Sequence, residues 1–459
     1  MIRVMVMLKK ILVLVLLSGS LFGLTACGGG GGGGSTTETT PSSTPGSSSS
    51  AASSSAGSAS SASSSSASSS AASASSNSSY SVTQSTLSNS VAVTVVSDLS
   101  SVSVVNLPYV SVTVCVAGST SNCKTVDHIL VDTGSTGLRI LASALDSTFI
   151  SSLSSVTASG NQLGECAQFV SGYLWGTVKT ADLYLAGEEA ASLPIQIVGD
   201  SSYSTIPSAC QRKGSSMGSQ SALGANGIIG LNSFKQDCGS SCVSGTTAGY
   251  YYSCASSGSC TDTTVALGSQ VQHPVQLFSG DNNGVVLVLP SVASAGAASV
   301  SGTLYFGIGT QSNNTLGSAT PYGTDSQGYF RTAFNGSSNM YGVIDSGSNG
   351  LFFNDSALAT CSSGLASGWF CPSAATSLSA TITGVSSSTI SSNSTAVSFS
   401  IANAQTLFGS GYAAYGNLGA PYGSNSYFDF GLPFFFGRSV YVAIENTLTP
   451  VGYGPYVAF

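Results

Sequence analysis

His128-Ile129-Leu130-Val131-Asp132-Thr133-Gly134-Ser135 and, 213 positions later, Tyr341-Gly342-Val343-Ile344-Asp345-Ser346-Gly347-Ser348 read almost alike. In each, an apolar run ends in an aspartate, which a hydroxyl residue, a glycine and a serine follow. An apolar run bounded by Gly and Ser reads as a strand entering a turn. A single copy would be an ordinary polar turn, because Asp, Ser and Gly are turn formers in their own right. Two copies, with room for one lobe around each, predict a duplicated unit. Two lobes that each bring one carboxylate to a shared cleft make a pair suited to acid–base chemistry on water.

The rest of the chain fits a β-rich, exported protein. Its 459 residues suffice for two or three domains or one large two-lobed unit. Only 6% of residues are charged, the net charge is −7 and there is no basic block, so no nucleic-acid partner is expected. Val-rich stretches at Val91 to Val96 and Val102 to Val116 predict strands, as do Val285 to Leu289, Thr303 to Phe306, Val397 to Ile401 and Ser439 to Ile444. Helical periodicity is scarce, with short helices expected only near Leu141 to Leu145 and Pro274 to Phe278. The expected class is mainly β.

Residues 1–26 read as a targeting segment: Arg3, Lys9 and Lys10 precede an apolar run from Ile11 to Leu24 that is too short to span a bilayer as a helix. Leu24-Thr25-Ala26-Cys27 resembles a bacterial lipobox, which implies lipidation of Cys27 and an anchor in the cell envelope. Gly28 after the cysteine favours the outer membrane. Residues 27–88, rich in Gly, Ser and Ala, cannot bury enough apolar surface to offset chain entropy and read as a tether with a reach on the order of 40 Å. Beyond Cys27 there are ten cysteines, an even number that suggests five disulfides in an exported chain. The expected pairs are Cys115–Cys123, Cys166–Cys210, Cys361–Cys371 and a nested Cys242–Cys254 inside Cys238–Cys260. With two His and no repeated CxxC, no metal site is expected.

Two distant segments each bring apolar residues to a glycine: Gly227-Ile228-Ile229-Gly230-Leu231 in the first half and Phe428-Asp429-Phe430-Gly431-Leu432 in the second. With these, the chain from about residue 105 to 459 resembles the pepsin-like aspartic peptidases, and within them a group of bacterial lipoproteins. The resemblance implies a bilobal fold with a pseudo-twofold and a cleft between lobes, divided here as 89–290 and 291–459. It implies Asp132 and Asp345 as the catalytic pair, acting on water without a cofactor. Thr133 and Ser346 would join the two turns, and Ser135 and Ser348 would bond the outer carboxylate oxygens. Gly134 and Gly347 would allow close backbone approach, and Gly230 and Gly431 would lie on the crossing segments. The substrate implied is a peptide or unfolded protein, and the working unit a monomer.

Two positions depart from that family. Aligning the flap on Gly172 and Gly176 puts Phe169 where the family usually has a tyrosine, and Arg139 stands where it often has the tyrosine's tryptophan partner. Tyr173 and Trp175 are the other flap candidates. No Lys or Arg occurs between Ile11 and Cys123, so a basic inhibitory prosegment is not expected there. A peptide-binding module without turnover and a structural surface lipoprotein are the competing readings. Gly214-Ser215-Ser216-Met217-Gly218 matches a hydrolase pattern but lacks the strand and helix that pattern needs. His128 reads as a strand residue, His273 as a loop or cap residue, and the aromatic run Tyr427 to Phe436 as core.

Overall fold

The computed structural model describes residues 88–99, 104–246, 249–256 and 258–459. The targeting segment 1–26, Cys27 and the Ser-rich stretch as far as residue 87 lie outside them. The fold is mainly β. Among the described residues no α-helix exceeds six residues, and none is long and apolar enough to cross a membrane.

Val-rich alternation produces the first strand, Ser90–Val95, in which Val93 and Val95 are fully buried. It pairs antiparallel with Val300–Phe306 from the second half of the chain and, at its end, with Pro108–Val116. Val300–Phe306 pairs with Gly284–Leu289, which pairs with Arg438–Ala443. The first strand of the fold and one of its last therefore share a platform, so the two halves cannot separate without breaking this sheet.

Each half carries the same device on this platform. In the first, strand Cys123–Asp132 ends on Asp132, the chain turns, and Thr136–Leu141 leads away. The return strand Gly227–Leu231 inserts between them, parallel to the first with Gly230 opposite Asp132, and antiparallel to the second with Gly230 opposite Gly137. In the second half, Ser337–Ile344 leads into Asp345, Leu351–Phe352 leads away, and Tyr427–Phe430 inserts between them. Glycine is required where these backbones cross. A Cβ on Gly230 would stand 2.6 Å from the Ser135 carbonyl, and one on Gly431 would stand 2.5 Å from the Ser348 oxygen. Behind the second turn, Phe428 and Phe430 are fully buried and Phe434 nearly so, which places the aromatic run largely in the core.

Several expectations need correcting. The strand expected from Val102 begins only at Pro108, because Asn106 takes a left-handed conformation (φ 54°) and is tied to the opposite half. Its side-chain amide donates to Asn349 O and Tyr415 O, both at 2.9 Å. The two expected helices are single 3-10 turns, Ala142–Ala144 and Pro274–Leu277, and Leu141 ends the preceding strand. Among the described residues five disulfides form, three as expected, but the nested pair does not. Cys238 instead joins Cys242, brought close by the short helix Ser240–Ser244. Cys254 joins Cys260, which lies directly opposite it across a hairpin. In both cases local chain geometry presents a partner before a distant one can reach.

The two Asp turns lock together at the junction. Thr133 N donates to Ser346 Oγ (3.1 Å), and Ser346 N donates to Thr133 Oγ1 (2.9 Å). Thr133 Oγ1 in turn donates to Ile344 O (3.0 Å), and Ser346 Oγ donates to Val131 O (2.7 Å). The four bonds form two reciprocal pairs, the signature of a pseudo-twofold passing between the turns. Thr133 and Ser346 are 5% and 0% exposed, so water cannot replace a lost partner. Ser346→Ala leaves Thr133 N–H and Val131 C=O unpaired, at about 1–3 kcal/mol each. Urea unfolding is expected to show that loss as a lower midpoint; an unchanged midpoint would contradict the role assigned to this junction.

Candidate active site

The lock brings Asp132 and Asp345 into contact. The turns give each carboxylate the same pair of donors from its own loop. Asp132 accepts from Gly134 N (2.8 Å) and Ser135 Oγ (2.5 Å). Asp345 accepts from Gly347 N (2.8 Å) and Ser348 Oγ (2.8 Å). The glycines face the opposite carboxyl: a Cβ on Gly134 would stand 2.6 Å from Asp345 Cγ, and one on Gly347 would stand 2.6 Å from Asp132 Oδ1. A side chain at either position would wedge the carboxyls apart. Asp132 is 6% exposed and Asp345 somewhat more. Burial holds the Asp345 carboxyl well above the usual carboxylate range, with the charge of Asp132, the charge of Asp429 and a hydrogen bond to Asp132 adding to it. The pair therefore keeps a proton where isolated aspartates would both be ionised.

Asp429 is a member of the site that sequence reasoning passed over. It lies on the second return strand, 6% exposed, and its Oδ2 is 2.6 Å from the Ser348 hydroxyl that also serves Asp345. The available signal was a carboxylate set between two phenylalanines, two residues before the crossing Gly431. Nearby, Tyr329, Tyr341, Tyr422 and Tyr427 form a chain of ring contacts at 5.4–5.8 Å, with Arg331 over Tyr341 at 4.6 Å.

The flap candidates occupy a hairpin of Asn161–Phe169 and Gly172–Leu185, with Phe169 opposite Gly172 at the tip. Tyr173 and Trp175 are 5% and 4% exposed and pack with Cys166, Cys210, Tyr252 and Cys254. Trp175 Nε1 donates to Tyr203 O (2.9 Å). Both rings are thus committed to the core, and Phe169 is the tip aromatic that meets Arg139, whose guanidinium carbon lies 5.9 Å from the ring centroid. Serines 215 and 216 pair in parallel with Gly172 and Tyr173, so the Gly214–Gly218 segment is a strand beside the flap and not a strand-to-helix elbow. His128 bonds Asp98 at 2.8 Å at the strand's outer side, and His273 caps the 3-10 turn at Pro274–Leu277.

Arg139 also centres a buried ionic cluster. It donates to Glu165 Oε1 on the flap strand (2.5 Å), Asp237 Oδ2 (3.1 Å) and Thr136 O just past the Asp turn (2.6 Å). All three charged side chains are at most 4% exposed. One cation faces two carboxyls, and burial together with the charge of Glu165 holds the Asp237 carboxyl well above its usual range, although Arg139 and the Tyr251 hydroxyl act against it. A proton on Asp237 balances the cluster. The cluster ties the hairpin that carries Glu165 to the first Asp turn by charge.

The fold and site define a mainly β architecture in which each half of the chain contributes one aspartate turn. The chain belongs to the family described as "Protein of unknown function (DUF3443)", whose model matches residues 85–459. No curated protein matches it. Among solved structures it is similar to an aspartic proteinase from Irpex lacteus, with 15% identity and a TM-score of 0.43 over 81% of this chain and 96% of that one.

Arg139→Met strips the cation from two buried carboxyls and is expected to cost about 3–5 kcal/mol of stability. Thermal unfolding at neutral pH measures it; a change below about 1 kcal/mol would show that the cluster does not hold the flap.

Proposed function

We propose that this chain is an aspartic-type endopeptidase of exported proteins or peptides, anchored to the cell envelope, at its outer membrane, by lipid on Cys27. One observation carries the reading. Two carboxyls from mirrored turns meet in hydrogen-bond contact, each held by a backbone N–H and a serine hydroxyl of its own loop. Such a pair shares one proton, because two adjacent carboxylates repel too strongly to ionise together.

The chemistry follows from that single proton. The ionised oxygen takes a proton from a water held between the carboxyls, while the protonated carboxyl donates a hydrogen bond to the substrate carbonyl. Water adds to the carbonyl carbon, and the proton then passes to the departing amine. Thr133 and Ser346 take no part in this transfer; they fix the spacing that makes it feasible. Activity requires the singly protonated pair. It falls at low pH when the second carboxyl is protonated and at high pH when the shared proton is lost. Five disulfides support an oxidising compartment outside the cytoplasm. An extended peptide is the partner that suits a cleft between lobes, and a monomer contains both carboxyls.

A second reading, a peptide-binding module without turnover, draws on Phe169. Its ring has no hydroxyl to orient a flap and rests against a buried arginine. Digestion of an unfolded protein by the purified full-length chain from pH 3 to 8 separates the two. Cleavage that falls by about 10²–10⁴-fold in both Asp132→Asn and Asp345→Asn would establish the pair as the catalyst. A folded chain that leaves the substrate intact at every pH, yet binds it, would favour the binding module.

A further inference from the structure

We propose that Asp429 is a third carboxyl of this centre, a positioning residue that stores a proton and shares it with Asp345 through the hydroxyl of Ser348. The proposal rests on the peptidase reading for its consequence in catalysis, though not for the proton itself.

The geometry of one hydroxyl requires the proton. Ser348 Oγ is 2.8 Å from Asp345 Oδ2 and 2.6 Å from Asp429 Oδ2. A serine hydroxyl has one hydrogen and can donate it to only one of these oxygens at a time. The other short contact would bring a bare carboxylate oxygen against the serine lone pairs unless that carboxyl supplies a hydrogen of its own. One of the two carboxyls must therefore donate to Ser348 Oγ, and with Asp429 as that acid the arrangement is a directed chain: Asp429 O–H donates to Ser348 Oγ, and Ser348 O–H donates to Asp345. Proton transfer along it balances. The Asp429 O–H bond breaks as one forms at Oγ, the original Oγ–H bond breaks as one forms on Asp345, and the serine ends neutral as it began. Asp429 becomes ionised and Asp345 gains the proton.

The surroundings favour the neutral acid on Asp429. It sits between Phe428 and Phe430, both fully buried, and among the described residues its Oδ1 has no hydrogen-bond partner. An ionised carboxylate so placed would be poorly solvated. The groups that face it are Ser348 and Asp345 on the second turn, Asp132 on the first, and the phenols of Tyr329 and Tyr422. None of these is a cation. Burial, against the Ser348 bond and reinforced by the charge of Asp132, pushes the Asp429 carboxyl up to about 8. The first lobe has no counterpart. At the matched position of its return strand stands Ile228, and Ser135 donates to Asp132 alone. Asp429 thus breaks the twofold symmetry of the pair and gives Asp345 alone a second acid that can replace a lost proton. Its proton can be passed on as pH rises, which extends the singly protonated state of the pair toward neutral pH.

Asp429→Asn keeps the shape and can still donate an N–H to Ser348, but it carries no exchangeable acid proton. In the full chain it is expected to move the alkaline limb of the cleavage profile about one pH unit lower, with the acid limb in place. Ser348→Ala, which retains Asp429 and cuts the link, is expected to move that limb in the same direction. A second readout needs no activity. A carboxyl raised in the folded state keeps a proton that the unfolded chain has lost, so stability falls as pH rises from its ordinary value of 3.8 to about 8. Thermal unfolding of the parent and of Asp429→Asn between pH 4.5 and 7.5 should show a shallower decline of Tm in the variant. Equal slopes, or an alkaline limb unmoved by Asp429→Asn, would overturn the proposal. If the parent cleaves nothing and the slope still flattens, the stored proton stands and the peptidase reading falls.

Discussion

The reciprocal hydrogen bonding of Thr133 and Ser346 is the constraint on which the rest depends. Neither hydroxyl satisfies its own turn. Each bonds backbone of the opposite half, so neither turn is complete without the other. Because both residues are buried, a displaced turn would strand polar groups with no water to replace the lost partner. That penalty holds Asp132 and Asp345 together against the repulsion of adjacent carboxylates. The platform sheet, which mixes strands from both ends of the chain, bears the same load at longer range.

A protein with so few charges places several of them where they cost most. Three carboxyls gather at the cleft with no cation among the groups facing Asp429. A second cluster, Arg139 with Glu165 and Asp237, is buried a short way along the first lobe. The clusters are balanced differently. The one behind the flap has a guanidinium and needs a single proton on Asp237, so it acts as a structural tie. The one at the cleft is balanced by protons alone, so its charge responds to pH. The hairpin is held by an ionic contact. Glu165 anchors the strand from below, and Phe169 caps the guanidinium from the tip side.

Much of this was legible in the sequence because its signals are local or duplicated. An apolar run ending in Asp-Thr-Gly-Ser or Asp-Ser-Gly-Ser specifies a strand and the turn after it, and the repetition implies a twofold. The crossing glycines could be read because close backbone approach admits no other residue. Asp429 was harder to interpret, because on its strand it resembles a polar interruption of an apolar run. Only the inserted position of Tyr427–Phe430 beside the second turn puts its carboxyl on Ser348. The nested disulfides failed for a related reason. Sequence order offers many pairings, and a single helical turn and a hairpin register selected Cys238–Cys242 and Cys254–Cys260.

The sequence by itself determined the β class, the two aspartate turns with their companion glycines, and the residue types able to bond each carboxylate. These follow from short-range rules: strand alternation, turn chemistry and the absence of a Cβ. The tertiary structure decided which groups share a proton. It joined Asp345 to Asp429 through one serine, and it placed Arg139 between Glu165, 26 positions away, and Asp237, 98 positions away. Protonation in a buried site depends on distance and solvent exclusion, and both are set by how distant strands pack.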